Sequence, residues 1–276
     1  MPARIVLAIA TAMLLAVGPV LAQDAAKPAG IPAAELYRAQ TIVTGTGEAN
    51  RIIGFAACLE DVLVKVSGQL RLAGDKRLRP YKADAAKLVR DFSYRDEKGG
   101  KPKNDEQGTR DRSFVLTAEF DETGVNGILA KLGVKPWLSR RPVLGVFVEM
   151  QNGARRYVIA ADSKEAELQR AALLAAGAKR GMQIVLPDAA GLAGIGAGDQ
   201  AIAAIAPAKL VEVAAARGAE AVLVARLVWD DRKLRWTADW QIERQGRSQR
   251  RQLSAVTFDE AFRQGIGAAA QIPAGQ

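Results

Sequence analysis

Four arginines fall within eight residues, Arg244-Gln-Gly-Arg247-Ser-Gln-Arg250-Arg251, with no acidic residue among them. The planar guanidinium fork matches phosphate and carboxylate, so this pattern points to an anion as its ligand. If the stretch is a strand around a Gly246 turn, Arg250 and Arg251 leave opposite faces, and only part of the cluster converges on one partner. The competing reading is a charged edge that keeps a sheet from pairing with other chains. An anion held by exposed charge is released by salt, which separates the two readings.

Glu60/Asp61, Asp121/Glu122 and Asp230/Asp231 are adjacent acid pairs on which acid chemistry could draw. Neighbours in sequence point apart on a helix or strand. These pairs therefore read as a solvated helix face, a helix start and a hairpin turn. A working pair of carboxylates would have to come from distant segments. Histidine is absent. That removes Ser-His-Asp and Cys-His catalysis, His-ligated zinc and imidazole-based pH switching. The single Cys58 cannot form an internal disulfide and reads as a small buried apolar residue, since no histidine activates it. Glycines 191, 194, 196 and 198 spell GxxGxGxG, which is neither a dinucleotide fingerprint nor a P-loop, and the stretch reads as a flexible loop. No catalytic, cofactor-binding or metal-binding residue follows from these patterns, and no enzyme is expected.

The elements that would position these residues centre on 218–242. Residues 221–229 are apolar on both faces except for Arg226, as in a strand at the middle of a sheet. After the polar break at 230–233, Leu234, Trp236, Ala238, Trp240 and Ile242 alternate with polar residues, a half-wet strand with both tryptophans expected to pack on a helix. Residues 249–255 form a third, polar edge strand and 258–272 a closing helix. Upstream, residues 143–150 and 155–160 read as strands and 164–179 as a helix buried through Leu168, Ala171, Leu174, Ala175 and Ala178. Residues 182–186 read as a short strand and 207–217 as a helix with proline at its start.

In the first half, residues 36–43 alternate as a strand, with Tyr37, Ala39, Thr41 and Val43 on one face and Leu36, Arg38, Gln40 and Ile42 on the other. Glu48–Ser67 is a helix with Gly68 as its C-cap. A shorter helix is expected over 82–92, a strand over 113–120 and a helix over 125–132. The segment 95–112 carries six positive and five negative charges, so it creates no field of one sign and reads as a solvated hairpin tip. Trp137 is expected to pack, with Arg140 and Arg141 at the boundary between halves.

Residues 1–22 carry a lone Arg4, an apolar run over 5–17 and small residues before Ala22, the pattern of a signal peptide cleaved after Ala22. The run is too short to span a bilayer, which needs about 20 apolar residues. The chain is therefore expected in the periplasm as a soluble protein. Residues 23–35 (from QDAAKPAG onward) form a flexible leader, 36–140 an N-terminal α/β module and 141–276 a C-terminal α/β module with the central hairpin. Net charge is +9. In that compartment the excess suits an anionic membrane or glycan surface, an acidic protein, or solubility alone; nucleic acid is not expected.

Four segments, LYRAQTIV…VLVKVSGQ, KPWLSRRPVLGVFVEM, GMQIVLPD and GAEAVLVARLVW…WTADW, resemble a bacterial envelope family known as domain of unknown function 2066. The Gly/Ala-rich loop departs from that pattern. The resemblance implies an exported Gram-negative protein without an assigned activity. The fold class is mixed α/β, with two small modules of mixed sheet packed with helices, the second ordered β-α-β-α-β-β-β-α. Three functions stay open, in this order: a non-catalytic protein-binding or assembly factor, a binder of an anionic envelope surface or small ligand, and a carboxylate-based hydrolase.

Overall fold

The computed structural model describes residues 31–96, 112–244, 247–255 and 257–271. Two sheets organise the chain, and the fold is mixed α/β. The first is antiparallel, in the order β1-β3-β2, from β1 (Arg38–Thr44), β2 (Val89–Asp96) and β3 (Ser113–Phe120). Tyr37, Ala39 and Val43 are buried and Ile42 is not, which is the alternation a one-sided sheet imposes. The long helix α2 (Glu48–Ser67) covers the buried face and ends at Gly68, whose φ of 72° only glycine adopts freely. The short helices α1 (Ala33–Leu36) and α3 (Arg79–Ala83) precede β1 and β2, and α4 (Glu122–Lys131), N-capped by Asp121, follows β3.

The helix expected over 82–92 is not there. α3 ends at Ala83, and from Val89 the chain pairs with β3 in the register Phe92↔Ala118 and Tyr94↔Leu116. The apolar spacing that suggested a helix instead builds an aromatic row, Phe55–Phe92–Tyr94–Phe114, in successive edge-to-face contacts. The hairpin tip read at 95–112 lies mostly outside the described residues; its flanking strands are the β2–β3 pair.

The second sheet has six strands. β4 (Leu144–Asn152) lies parallel to β7 (Ala221–Asp230), which continues antiparallel into β8 (Arg235–Arg244) and the edge strand β9 (Arg247–Ala255). On the other side of β4, β6 (Ile184–Val185) pairs in parallel with its start, and β5 (Arg155–Val158) antiparallel with its end. Helices α5 (Glu167–Lys179) and α8 (Phe258–Gln271) pack on one face, with Leu173, Trp240 and Phe262 in that core. Helices α6 (Ala189–Gly194) and α7 (Pro207–Ala215) pack on the other, around Phe147, Leu192 and Leu210. Covered on both sides, β4 is buried from Leu144 to Met150.

In this half the order of elements read from the sequence is present, with the 155–160 strand as β5 and with α6 in addition. Most of the Gly/Ala-rich stretch is therefore not a flexible loop. Asp188 accepts the Gly191 N–H (2.7 Å) and starts α6, and Leu192 and Ile195 are buried. Leu234 is not in β8 either. It sits in the β7–β8 turn with a φ of 48° and is exposed. Of the two tryptophans on that face, Trp240 is buried against α8, while Trp236 is half-buried and packs edge-on to Trp229.

Candidate functional site

β1 is an edge strand, and the direction of its backbone decides what it offers. Phe120 donates to the Tyr37 carbonyl (3.0 Å), and the Gly45 N–H to the Arg112 carbonyl (2.7 Å). The odd-numbered residues of β1 thus turn their backbone groups to β3, and Arg38, Gln40, Ile42 and Thr44 turn theirs to the free edge. The two ends of that edge are closed by side chains. Lys65 Nζ donates to the carbonyls of Glu35 (3.1 Å) and Arg38 (2.5 Å), and Asn50 Nδ2 donates to the Thr44 carbonyl. Between them the N–H and C=O of Gln40 and Ile42 have no partner among the described residues.

A groove of about 610 Å³ runs along this edge. Its far wall is α5, through Ala175, Ala178 and Lys179, and its floor includes Ile42, Val115 and Arg95, one cross-strand row on the outer face of the sheet. The wall continues into an uncovered apolar stripe. Leu168 is 75% exposed and Leu174 46%, beside exposed Ala171, Ala175 and Ala178. This corrects the sequence reading of α5, which placed those five residues in the core. The buried face is Leu173, Ala176 and Gly177; Gly177 is buried because the carbonyl of Met182 and the side chain of Ile184 lie within about 3 Å of where its Cβ would be.

Charge in the groove is mixed but leans positive. Glu35 is 3.3 Å from Arg38, and Asp61 is 2.9 Å from Lys179, so both lining acids are paired. Arg95 has no ion-pair partner among the described residues. Burial, only partly offset by Glu35 and Asp61, pushes the Lys65 ammonium down to about 8.

The residues first suspected of chemistry have structural posts. Glu60 binds Lys82 (2.5 Å) and the Gly74 N–H (2.9 Å). Asp121 accepts the Gly124 N–H (2.7 Å) at the start of α4. Asp230 accepts the N–H groups of Arg232 (3.0 Å) and Lys233 (3.1 Å) in the turn. Cys58 is fully buried, and burial followed by the nearby Asp61 raises its thiol to about 12. Among the described residues no group of three or more His, Cys, Asp or Glu could hold a metal ion, and no helix is long and apolar enough to cross a membrane.

The arginine cluster lies on β8 and the edge strand β9. Arg244 and Arg247 are paired at the hairpin end, and their side chains lie outside the described residues. Arg250 stands opposite Gln241 and Arg251 opposite Trp240, so the two leave opposite faces. Arg250 ends a polar row that the sequence did not reveal. Buried Glu149 lies 3.2 Å from Arg226, Arg226 is in register with Asp239, and Asp239 is 3.7 Å from Arg250. Glu149 also accepts the Ile202 N–H (2.8 Å), which fastens the segment before α7 to the sheet. Arg226, the exception in an apolar strand, was the visible half of this row.

A family described as Domain of unknown function (DUF8605) matches residues 31–138, which carry the first sheet and the β1 side of the groove. This finding replaces the resemblance to domain of unknown function 2066. No curated protein matches the chain. A solved structure described as "Crystal structure of uncharacterized protein" is similar at 11% identity, with 49% of this chain and 90% of that one covered; its TM-score of 0.22 is too low to assign a shared fold.

Proposed function

We propose that the chain is an exported, non-catalytic cell-envelope protein that binds other proteins, with α5 and the groove beside it as the contact surface. The observation that carries this reading is the exposed stripe Leu168–Ala171–Leu174–Ala175–Ala178, contiguous with an open strand edge. Large apolar side chains left uncovered in a row, beside a groove, mark interaction surfaces more often than singly scattered ones do. Export is supported by the pattern of residues 1–22, and binding to a macromolecule is supported by a groove that runs along the unpaired backbone edge of β1 and continues into the apolar stripe of α5.

The test is capture from envelope extracts by the chain beginning at Gln23, set against Leu168→Asp/Leu174→Asp. Both positions are exposed, so the variant should melt within a few degrees of the parent, as surface changes generally do. The expected result is a reproducible set of captured proteins that the double variant loses. Equal capture by both, or none by either, overturns the proposal.

A further inference from the structure

We infer that the open edge at Gln40–Ile42 receives an extended acidic segment of the partner polypeptide as a fourth strand of the first sheet. The inference rests on the protein-binding reading above and adds how the partner is held.

Backbone accounting comes first. An uncovered strand edge is a template for another strand, and proteins commonly blunt it with lysine or cover it. Here the blunting is local. Lys65 occupies the Arg38 carbonyl and Asn50 the Thr44 carbonyl, while Gln40 and Ile42 keep both donor and acceptor turned outward. The groove is present along this edge, and α5 stands off β1 across it rather than covering it. From Arg38 to Ile42 the edge runs roughly 13 Å, four steps of a strand's rise, room for a five-residue segment. Main-chain bonds of this kind give affinity, and alternate side chains give specificity.

The lining then selects the segment. Side chains turned to the α5 wall meet Ala175 and Ala178, which suits small apolar residues. Those turned to the outer face meet Arg38, and Arg95 lines the same groove from β2 with no ion-pair partner among the described residues. Both acids of the groove are already paired, and the chain as a whole carries +9. An acidic segment therefore gains charge pairing, whereas a basic one meets like charge.

The experiment uses the chain from Gln23 with two synthetic probes, acetyl-(Glu-Val)4-amide and acetyl-(Lys-Val)4-amide, followed by fluorescence anisotropy at low salt and by amide hydrogen exchange. The acidic probe should bind in preference to the basic one and slow exchange at the Gln40 and Ile42 amides. Gln40→Pro removes an outward N–H and leaves the β1–β3 bonds untouched, so it should weaken binding by roughly tenfold, the usual effect of one hydrogen bond. Arg95→Glu, on the exposed face, supplies a second variant independent of backbone change and should reverse the preference between the probes.

Binding of the acidic probe without protection of Gln40 and Ile42 overturns the added strand and leaves the protein-binding reading in place. Failure of the acidic probe while envelope proteins are still captured through α5 overturns the acidic segment alone. Protection present without any probe, and lost on deleting residues 23–30, would make the chain's own leader the occupant. Protection that grows with protein concentration, together with a doubled sedimenting mass, would make it a second copy. Either result also overturns the inference.

Discussion

Lys65 shows how one residue closes one end of the groove at a cost in charge. Its ammonium is buried among α2, Glu35 and Arg38 and is spent on two carbonyls. The folded protein holds it at about 8, against 10.5 for the free side chain, chiefly through desolvation. Between those values the unfolded chain binds more protons than the folded one, so stability rises with pH across that window. The gain is at most about 1.4 kcal/mol per pH unit. Cys58 acts in the opposite sense, because its thiol is raised from 9.0 to about 12 and the unfolded chain ionises it first. The expected outcome is a rise in unfolding free energy from pH 8 to 9, read by denaturant titration and opposed by Cys58 above that. In Lys65→Met the rise should vanish; a slope that survives in that variant assigns it to another group. Ile42 carried the same site in the sequence more quietly, as an aliphatic residue on the polar side of an alternating strand.

Among the elements, the seating of α8 on β8 is decided by one missing methyl group. A Cβ on Gly265 would lie 2.2 Å from the Trp240 ring, far inside contact distance. Helix propensity alone favours alanine over glycine by about 1 kcal/mol, but overpacking a core costs about 1–3 kcal/mol. Gly265→Ala should therefore lower the melting temperature, and Trp240→Leu introduced with it should recover part of the loss. Trp240→Ala alone should cost about 3–5 kcal/mol through transfer and cavity terms. A Gly265→Ala protein as stable as the parent would mean that α8 sits elsewhere. The hairpin, α2 and β3 were legible because long apolar periods bounded by glycine or charge leave little choice of element. α5 was legible as a helix and misread in phase. It is rich in alanine, which suits either face, and its side chains do not reveal that Gly177 must meet a backbone carbonyl. The groove was illegible for a related reason: it depends on which edge of β1 stays unpaired, a property of topology rather than of side chains.

At the scale of the whole molecule, the segment between the two sheets is fastened rather than slack, and Arg141 is its fastener. The side chain is 6% exposed and stacks on Trp137, 4.2 Å from the ring centre. One nitrogen donates to the carbonyls of Lys65 (2.6 Å) and Trp137 (3.2 Å), the other to those of Arg180 (2.7 Å) and Gly181 (3.3 Å). The Lys65 carbonyl lies in the last turn of α2 and those of Arg180 and Gly181 just past the end of α5, where backbone acceptors go unused and the helix dipoles favour a cation. Burial pulls the guanidinium down to about 10, still charged at neutral pH. The Trp137 N–H donating to the Val66 carbonyl (2.7 Å) and the Lys179–Asp61 pair add to the same junction. Charge-assisted hydrogen bonds are worth about 1.5–3 kcal/mol each, and their loss strands buried acceptors. Arg141→Met keeps the apolar stem and removes the fork. Calorimetry should show the parent unfolding in one transition and the variant in two, as the halves lose their common stake. Arg141→Lys should fall between them, because an ammonium is a point donor that cannot span both helix ends as the planar fork does. A single transition in Arg141→Met at the parent's temperature would mean that the packing of α8 near Leu70, and not this arginine, holds the two sheets together.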